Sequence, residues 1–101
     1  MRKSKRHPSI EPAHPGDIIA MGLEETSIKR QDLATALCIS RNTLYKLLQR
    51  KQGVTAEMAV RIAAVWGGSP EMWLNVQRDH DLWHAQRRVD VSKLKRLHEA
   101  A

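Results

Sequence analysis

The sequence predicts an all-α domain of five helices followed by a helical C-terminal extension, and three observations carry that prediction. Between residues 27 and 53 the apolar residues describe two short helices joined by a tight turn. Cap-forming residues Ser27, Ser40, Thr55 and Ser69 stand ahead of the periodic stretches, and Gly53, Gly67 and Gly68 stand after them. At 101 residues with 42% hydrophobic residues, the chain supports one small domain with a single core.

Residues 1–13 carry Arg2, Lys3, Lys5 and Arg6 with Pro8 and Pro12, and too little apolar content to offset ordering entropy. They are expected to form a flexible basic arm, solvated rather than laid along a minor groove. The helical domain is expected over residues 14–88. Pro15 suits a first helical turn, Asp17 sits near its positive end, and Ile18, Ile19 and Leu23 form a stripe for burial.

In SIKRQDLATALCISRNTLYKLLQRKQG, Leu33, Ala34 and Leu37 share the apolar face of the second helix, which Ser27 is expected to cap. Ile39 fills the corner, and Leu44, Leu47 and Leu48 form the face of a third helix capped by Ser40. That arrangement is a helix-turn-helix. Thr55 caps a fourth helix lined by Met58, Ala59, Ile62, Ala63 and Trp66. Ser69, Pro70 and Glu71 open a fifth, on which Trp73, Val76, His80 and Trp83 recur at alternating spacings of three and four. That seam is the candidate dimer interface, with packing in the chain's own core as the equal alternative. Residues 89–101 form the extension, where Ser92 is a candidate cap and Leu94 and Leu97 give a short periodic stretch that folds on docking.

Charge narrows the function. The net charge is +6, and residues 27–53 hold six basic residues, Lys29, Arg30, Arg41, Lys46, Arg50 and Lys51, against Asp32 alone. An anionic partner is expected on that face. The lone Cys38 makes no internal disulfide, and there is neither a secretory core nor a stretch of membrane-spanning length, which fits a cytoplasmic protein.

A third helix capped by Ser40 points its first turn outward, and Arg41, Asn42, Thr43, Tyr45 and Lys46 stand off its apolar face. Arginine matches guanine O6 and N7, asparagine matches adenine N6 and N7, and a threonine methyl fits the thymine methyl. These five are the expected base-reading residues. Lys29, Arg30, Ser40, Gln49, Arg50, Lys51 and Thr55 lie at helix ends and in the following loop, where phosphate contacts fix register without reading sequence. One such helix reads only four or five base pairs, so a dimer with two helices about 34 Å apart is expected.

The opening His14-Pro15-Gly16-Asp17-Ile18, with Leu33-Ala34, Ser40-Arg41-Asn42-Thr43, Thr55-Ala56-Glu57-Met58-Ala59, Ser69-Pro70-Glu71-Met72-Trp73-Leu74-Asn75 and Asp81-Leu82-Trp83, resembles the HigA-type antitoxins. These lie within the Cro and phage-repressor-like (XRE) helix-turn-helix family. The resemblance implies a lambda-repressor-like fold, a homodimer on a palindromic operator in its own promoter, and autorepression. It also implies a HigB-type toxin partner, a ribosome-dependent mRNA endonuclease neutralised by complex formation. Two positions depart from the family pattern. Cys38 holds the helix-turn-helix corner where glycine is common because φ is positive, and Arg30 aligns with a glutamine that braces the recognition helix.

His80 and His84 have metal-ligand spacing beside Asp79 and Asp81, but no third ligand is legible, so no metal and no cofactor are expected. Cys38 reads as an inert turn filler, and without a phosphate-cradling glycine loop or a nucleophile elbow the chain offers no enzyme chemistry. A stand-alone phage-type repressor without a toxin is the alternative. An RNA-binding role ranks below both, since the chain has no phenylalanine and Tyr45 is its lone tyrosine.

Overall fold

The computed structural model describes residues 9–99. Five α-helices follow in order: α1 (Pro15–Glu25), α2 (Arg30–Leu37), α3 (Arg41–Leu48), α4 (Ala56–Trp66) and α5 (Pro70–Arg88), with one 3-10 turn at Val91–Lys93. Among the described residues there is no strand, and no helix is long and apolar enough to cross a membrane.

The caps explain where most helices begin. Ser40, Thr55 and Ser69 accept the backbone N–H of Thr43, Met58 and Met72 respectively, as their spacing predicts. At α1 the cap is His14, whose Nδ1 accepts the Gly16 N–H at 2.9 Å while Asp17 accepts the His14 N–H at 3.0 Å. A capping box is thereby closed by histidine and aspartate rather than by the usual serine and glutamate. Ser27 does not cap α2. The chain stays extended from Ser27 to Lys29 to carry it across from α1, so α2 begins at Arg30 with Lys29 in the cap position and no side-chain bond.

Both motif helices end in the same way. Ile39 N–H reaches back to the Ala34 carbonyl, and Lys51 N–H to the Lys46 carbonyl, each across a left-handed residue, Cys38 at φ 59° and Arg50 at φ 63°. These are Schellman closures built without glycine. α3 therefore stops at Leu48, well before Gly53, which instead lies against the Gln77 amide.

The core is one cluster: Ile19, Leu33, Ala34, Leu37, Leu44, Leu47, Val54, Ala59, Ile62 and Trp73, with Ile18, Leu23, Ile39, Leu48, Met58, Ala63 and Trp66 packed around it. α1 meets α3 at Gly16, where a Cβ would overlap the Leu47 carbonyl oxygen. No larger residue permits that approach. Beneath α5, the buried Gln77 accepts the Val54 N–H at 2.8 Å and donates to Asp81 at 2.9 Å, so its burial leaves no amide unpaired.

Three expectations are corrected here. Trp73 is 2% exposed, with its indole N–H on the Gly67 carbonyl at 2.8 Å, so it belongs to the chain's own core and is closed to a second subunit. The C-terminal extension is helical only in one 3-10 turn. Asp90 caps a single 3-10 turn by accepting the Ser92 N–H, and Leu94 and Leu97 lie exposed with nothing to bury them. Of the arm expected over residues 1–13, residues 1–8 lie outside the described residues, whereas Pro12 is buried and Glu11 is bonded to the domain.

Candidate nucleic-acid interface

Ser40 bonds twice within its own turn, accepting the Thr43 N–H at 3.0 Å and donating to the Thr43 hydroxyl at 2.9 Å. Both hydroxyls are thereby engaged, while Thr43 keeps its own hydroxyl proton and its methyl for an outside partner. Arg41 and Asn42, the first two residues of α3, are exposed, as are Tyr45 and Lys46 one turn on. Leu44 and Leu47, each 1% exposed, hold the opposite face against the core. Four polar side chains thus share one outward face of a helix whose back is clamped by leucine.

The approach from α2 is basic. Lys29, Arg30 and Gln31 at its head form an open cleft with Arg41, Leu44 and Tyr45. The Arg30 guanidinium lies 5.6 Å from the centroid of the Tyr45 ring, so arginine does brace α3, through a ring face rather than an amide bond. Gln31, which the sequence reading passed over, lines the same cleft.

The corner between the helices takes the left-handed conformation that glycine favours, with Cys38 at φ 59° and ψ 43°. Its thiol is exposed rather than filling the turn. Arg61 on α4 supports this corner by donating to the carbonyls of Leu37 and Cys38 at 2.9 and 3.2 Å, and it also pairs with Glu57. A cation on the last carbonyls of α2 meets the negative end of that helix. Sequence reading missed Arg61, although its position four residues after Glu57 marks a helical ion pair.

Lys29, Gln49, Lys51 and Thr55 are exposed, Thr55 while capping α4. Arg50 is a correction. Its Nε and Nη2 donate to Asp17 at 3.0 and 2.7 Å, and Nη1 donates to Glu11 at 3.2 Å, so its guanidinium serves the fold. The Arg50 bonds hold the Asp17 carboxyl below its ordinary value, and the same pairing raises Arg50. Glu11 is also lowered, first by its bond to His84 and then by Arg50.

Of the remaining seam, His80 turns back into its own chain. Its side chain is 12% exposed, with its ring 4.9 Å from that of His14 and 4.5 Å from that of His84. His80 is therefore corrected along with Trp73. Val76 and Trp83 are half-buried, and Trp83 carries the Arg87 guanidinium 3.6 Å from its ring centroid.

No family model matches the chain. It is 41% identical over 95 residues to the uncharacterized HTH-type transcriptional regulator YddM of Escherichia coli K12, spanning 94% of this chain and 96% of the relative. It is 39% identical over 90 residues to antitoxin HigA-1 of Vibrio cholerae, spanning 87% of this chain and 80% of that antitoxin. The chain belongs to the HigA antitoxins.

A solved HigA structure agrees with the fold described above. The Pseudomonas aeruginosa antitoxin HigA with the higBA promoter superposes with a TM-score of 0.74 at 28% identity, over 87% of this chain and 100% of that one. Relatives of this HigA-type chain are thus antitoxins and transcriptional regulators. Its departures from the family pattern at Cys38 and Arg30 leave the motif intact: the corner keeps its left-handed turn and Arg30 still reaches α3.

Proposed function

We propose that the chain is the antitoxin of a type II toxin-antitoxin module that binds palindromic operator DNA as a dimer, represses its own operon and neutralises a cognate HigB-type mRNA endonuclease by complex formation. One observation carries the DNA reading: α3 is leucine-clamped on one side and presents Arg41, Asn42, Tyr45 and Lys46 together on the other, beside the basic head of α2. Arg41 and Asn42 have bidentate chemistry for guanine and adenine, and each good pair supplies about 1 to 3 kcal/mol of discrimination. Thr43 offers a methyl, while Tyr45 and Lys46 reach a base or phosphate from the second turn.

Lys29, Arg30, Ser40, Gln49, Lys51 and Thr55, exposed at helix ends and in the following loop, serve phosphates, supplying affinity rather than sequence choice. Dimerisation falls to Val76 and Trp83, the two residues of the α5 seam that the chain's own core leaves half-covered. The helical domain runs over residues 14–88, with Pro12 buried and Glu11 bonded to it from the segment ahead, its role is binding rather than catalysis, and its compartment is the cytoplasm.

Co-expression with the product of the adjacent gene, followed by gel shifts on the upstream DNA, tests the whole reading. A stable complex with a small basic ribonuclease and a shift specific for the promoter are expected. A specific shift with no such partner supports a stand-alone repressor, and loss of both overturns the proposal.

A further inference from the structure

The geometry points to a binding site for a divalent first-row transition ion of the zinc type, held by Glu11, His80 and His84. Sequence alone offers the two histidines no third ligand, but the fold brings Glu11, 73 positions away from His84, onto the same face of α5. One ring nitrogen each of His80 and His84 and a Glu11 carboxylate oxygen all lie within 4.8 Å of one another. Two imidazoles and a carboxylate suit zinc, cobalt or nickel rather than magnesium or calcium, which take all-oxygen sites.

His80 is the telling ligand. Its Nε2 is buried and has no hydrogen-bond partner among the described residues. The nearest carboxylate oxygen, Glu11 Oε2, is 3.4 Å away, too long for a well-formed hydrogen bond. That separation matches the edge of a tetrahedron with bonds of about 2.0 to 2.1 Å, roughly 3.4 Å. On the other side of the ring, Nδ1 lies 3.4 Å from Asp81 Oδ1, and Gln77 fixes that carboxylate with a 2.9 Å bond. A carboxylate behind a histidine aims the opposite nitrogen and strengthens it as a donor to metal.

His84 Nε2 and Glu11 Oε2 lie 2.5 Å apart, in a short hydrogen bond that a cation would have to replace. Metal binding requires the pair to open by about 1 Å to reach a tetrahedral edge. The His84 side chain is 42% exposed and has room to make the change, and the same exposure provides an entry path and a water for the fourth position. Arg50 lies 3.2 Å from the same Glu11 oxygen, but its charge is already met by two bonds to Asp17. Bound metal would clip the segment ahead of α1 to the middle of α5.

The test uses the untagged full chain, stripped with chelator and titrated with Zn2+ by calorimetry and with Co2+ by visible absorption. One equivalent per chain, a cobalt spectrum of low-coordinate type and a zinc-dependent rise in melting temperature are expected. Glu11→Gln and His84→Ala should each weaken binding about tenfold or more with helicity unchanged. Histidine ring resonances of the unmodified chain provide a readout that needs no variant, with zinc shifting those of His80 and His84. Absence of saturable binding, unaltered affinity in both variants, or shifts confined to other histidines would overturn the site.

Discussion

Arg50 grips Asp17 with two parallel hydrogen bonds, Nε to Oδ1 at 3.0 Å and Nη2 to Oδ2 at 2.7 Å. The residue just past the recognition helix is thereby bolted to the first turn of α1, where Asp17 also accepts the His14 N–H. Arg50 stands in a left-handed backbone conformation that non-glycine residues enter at a cost, so side-chain bonding offsets backbone strain at the same position.

Two substitutions separate these contributions. Arg50→Ala loses the pair and keeps the strain, and should destabilise the domain by about 1 kcal/mol, a value discounted for the half-exposed guanidinium. Arg50→Gly also loses the pair but relieves roughly 1 kcal/mol of strain, so it should stay near the unmodified chain. Urea denaturation reads the difference, and equal midpoints for the two variants would remove strain from the account. Because this guanidinium is committed to Asp17, Arg50→Gly should also keep operator affinity within about threefold, less than the loss from removing a true phosphate contact.

His14 makes stability depend on pH near neutrality. Burial lowers its pKa below the ordinary 6.5, with the nearby His80 adding to the effect, Asp17 and Asp81 opposing it and Arg50 assisting it. Its Nδ1 must also stay unprotonated to accept the Gly16 N–H. The unfolded chain therefore binds the proton more readily. The stabilisation is present above pH 6.5 and is lost as pH falls from there through the lowered folded value. Asp17, also lowered, adds a second loss below about pH 4 as its carboxylate protonates. Urea midpoints at pH 7.5 and 5.5 should differ for the unmodified chain and converge in His14→Asn, which keeps a capping oxygen without the titration. An unchanged slope in that variant would assign the dependence elsewhere.

Arg41→Ala and Asn42→Ala should each cost about 1 to 3 kcal/mol on the operator and little on a scrambled duplex, with helicity intact. Lys51→Ala should weaken both duplexes alike and reduce the salt slope by about one. Binding curves across salt concentrations distinguish the two classes. Identical losses on specific and scrambled DNA for Arg41→Ala would move that residue to the phosphate group.

The two tryptophans of α5 should behave differently. Trp73, buried with its N–H bonded to Gly67, should lose about 3 to 5 kcal/mol of stability on truncation to alanine. Trp83, half-buried beside Arg87, should instead weaken self-association in Trp83→Ala while the chain stays folded. Sedimentation combined with thermal melting tests both, and an unaltered dimer in Trp83→Ala would exclude that residue from the interface.

Local chemistry determined much of this protein from sequence alone: the helices, the Ser40, Thr55 and Ser69 caps and the leucine face behind α3. Each rests on side-chain spacing or hydrogen bonds that span no more than five residues, and such short-range terms are written into the order of the chain. Tertiary structure alone decided that Arg50 holds Asp17 33 positions away and that Arg61 caps α2 from 24 positions away. It also turned Trp73 and His80 inward and seated Glu11 beside His84. Helical periodicity specifies which residues share a stripe but not what the stripe meets, because the partner comes from helices brought together only when the whole core closes.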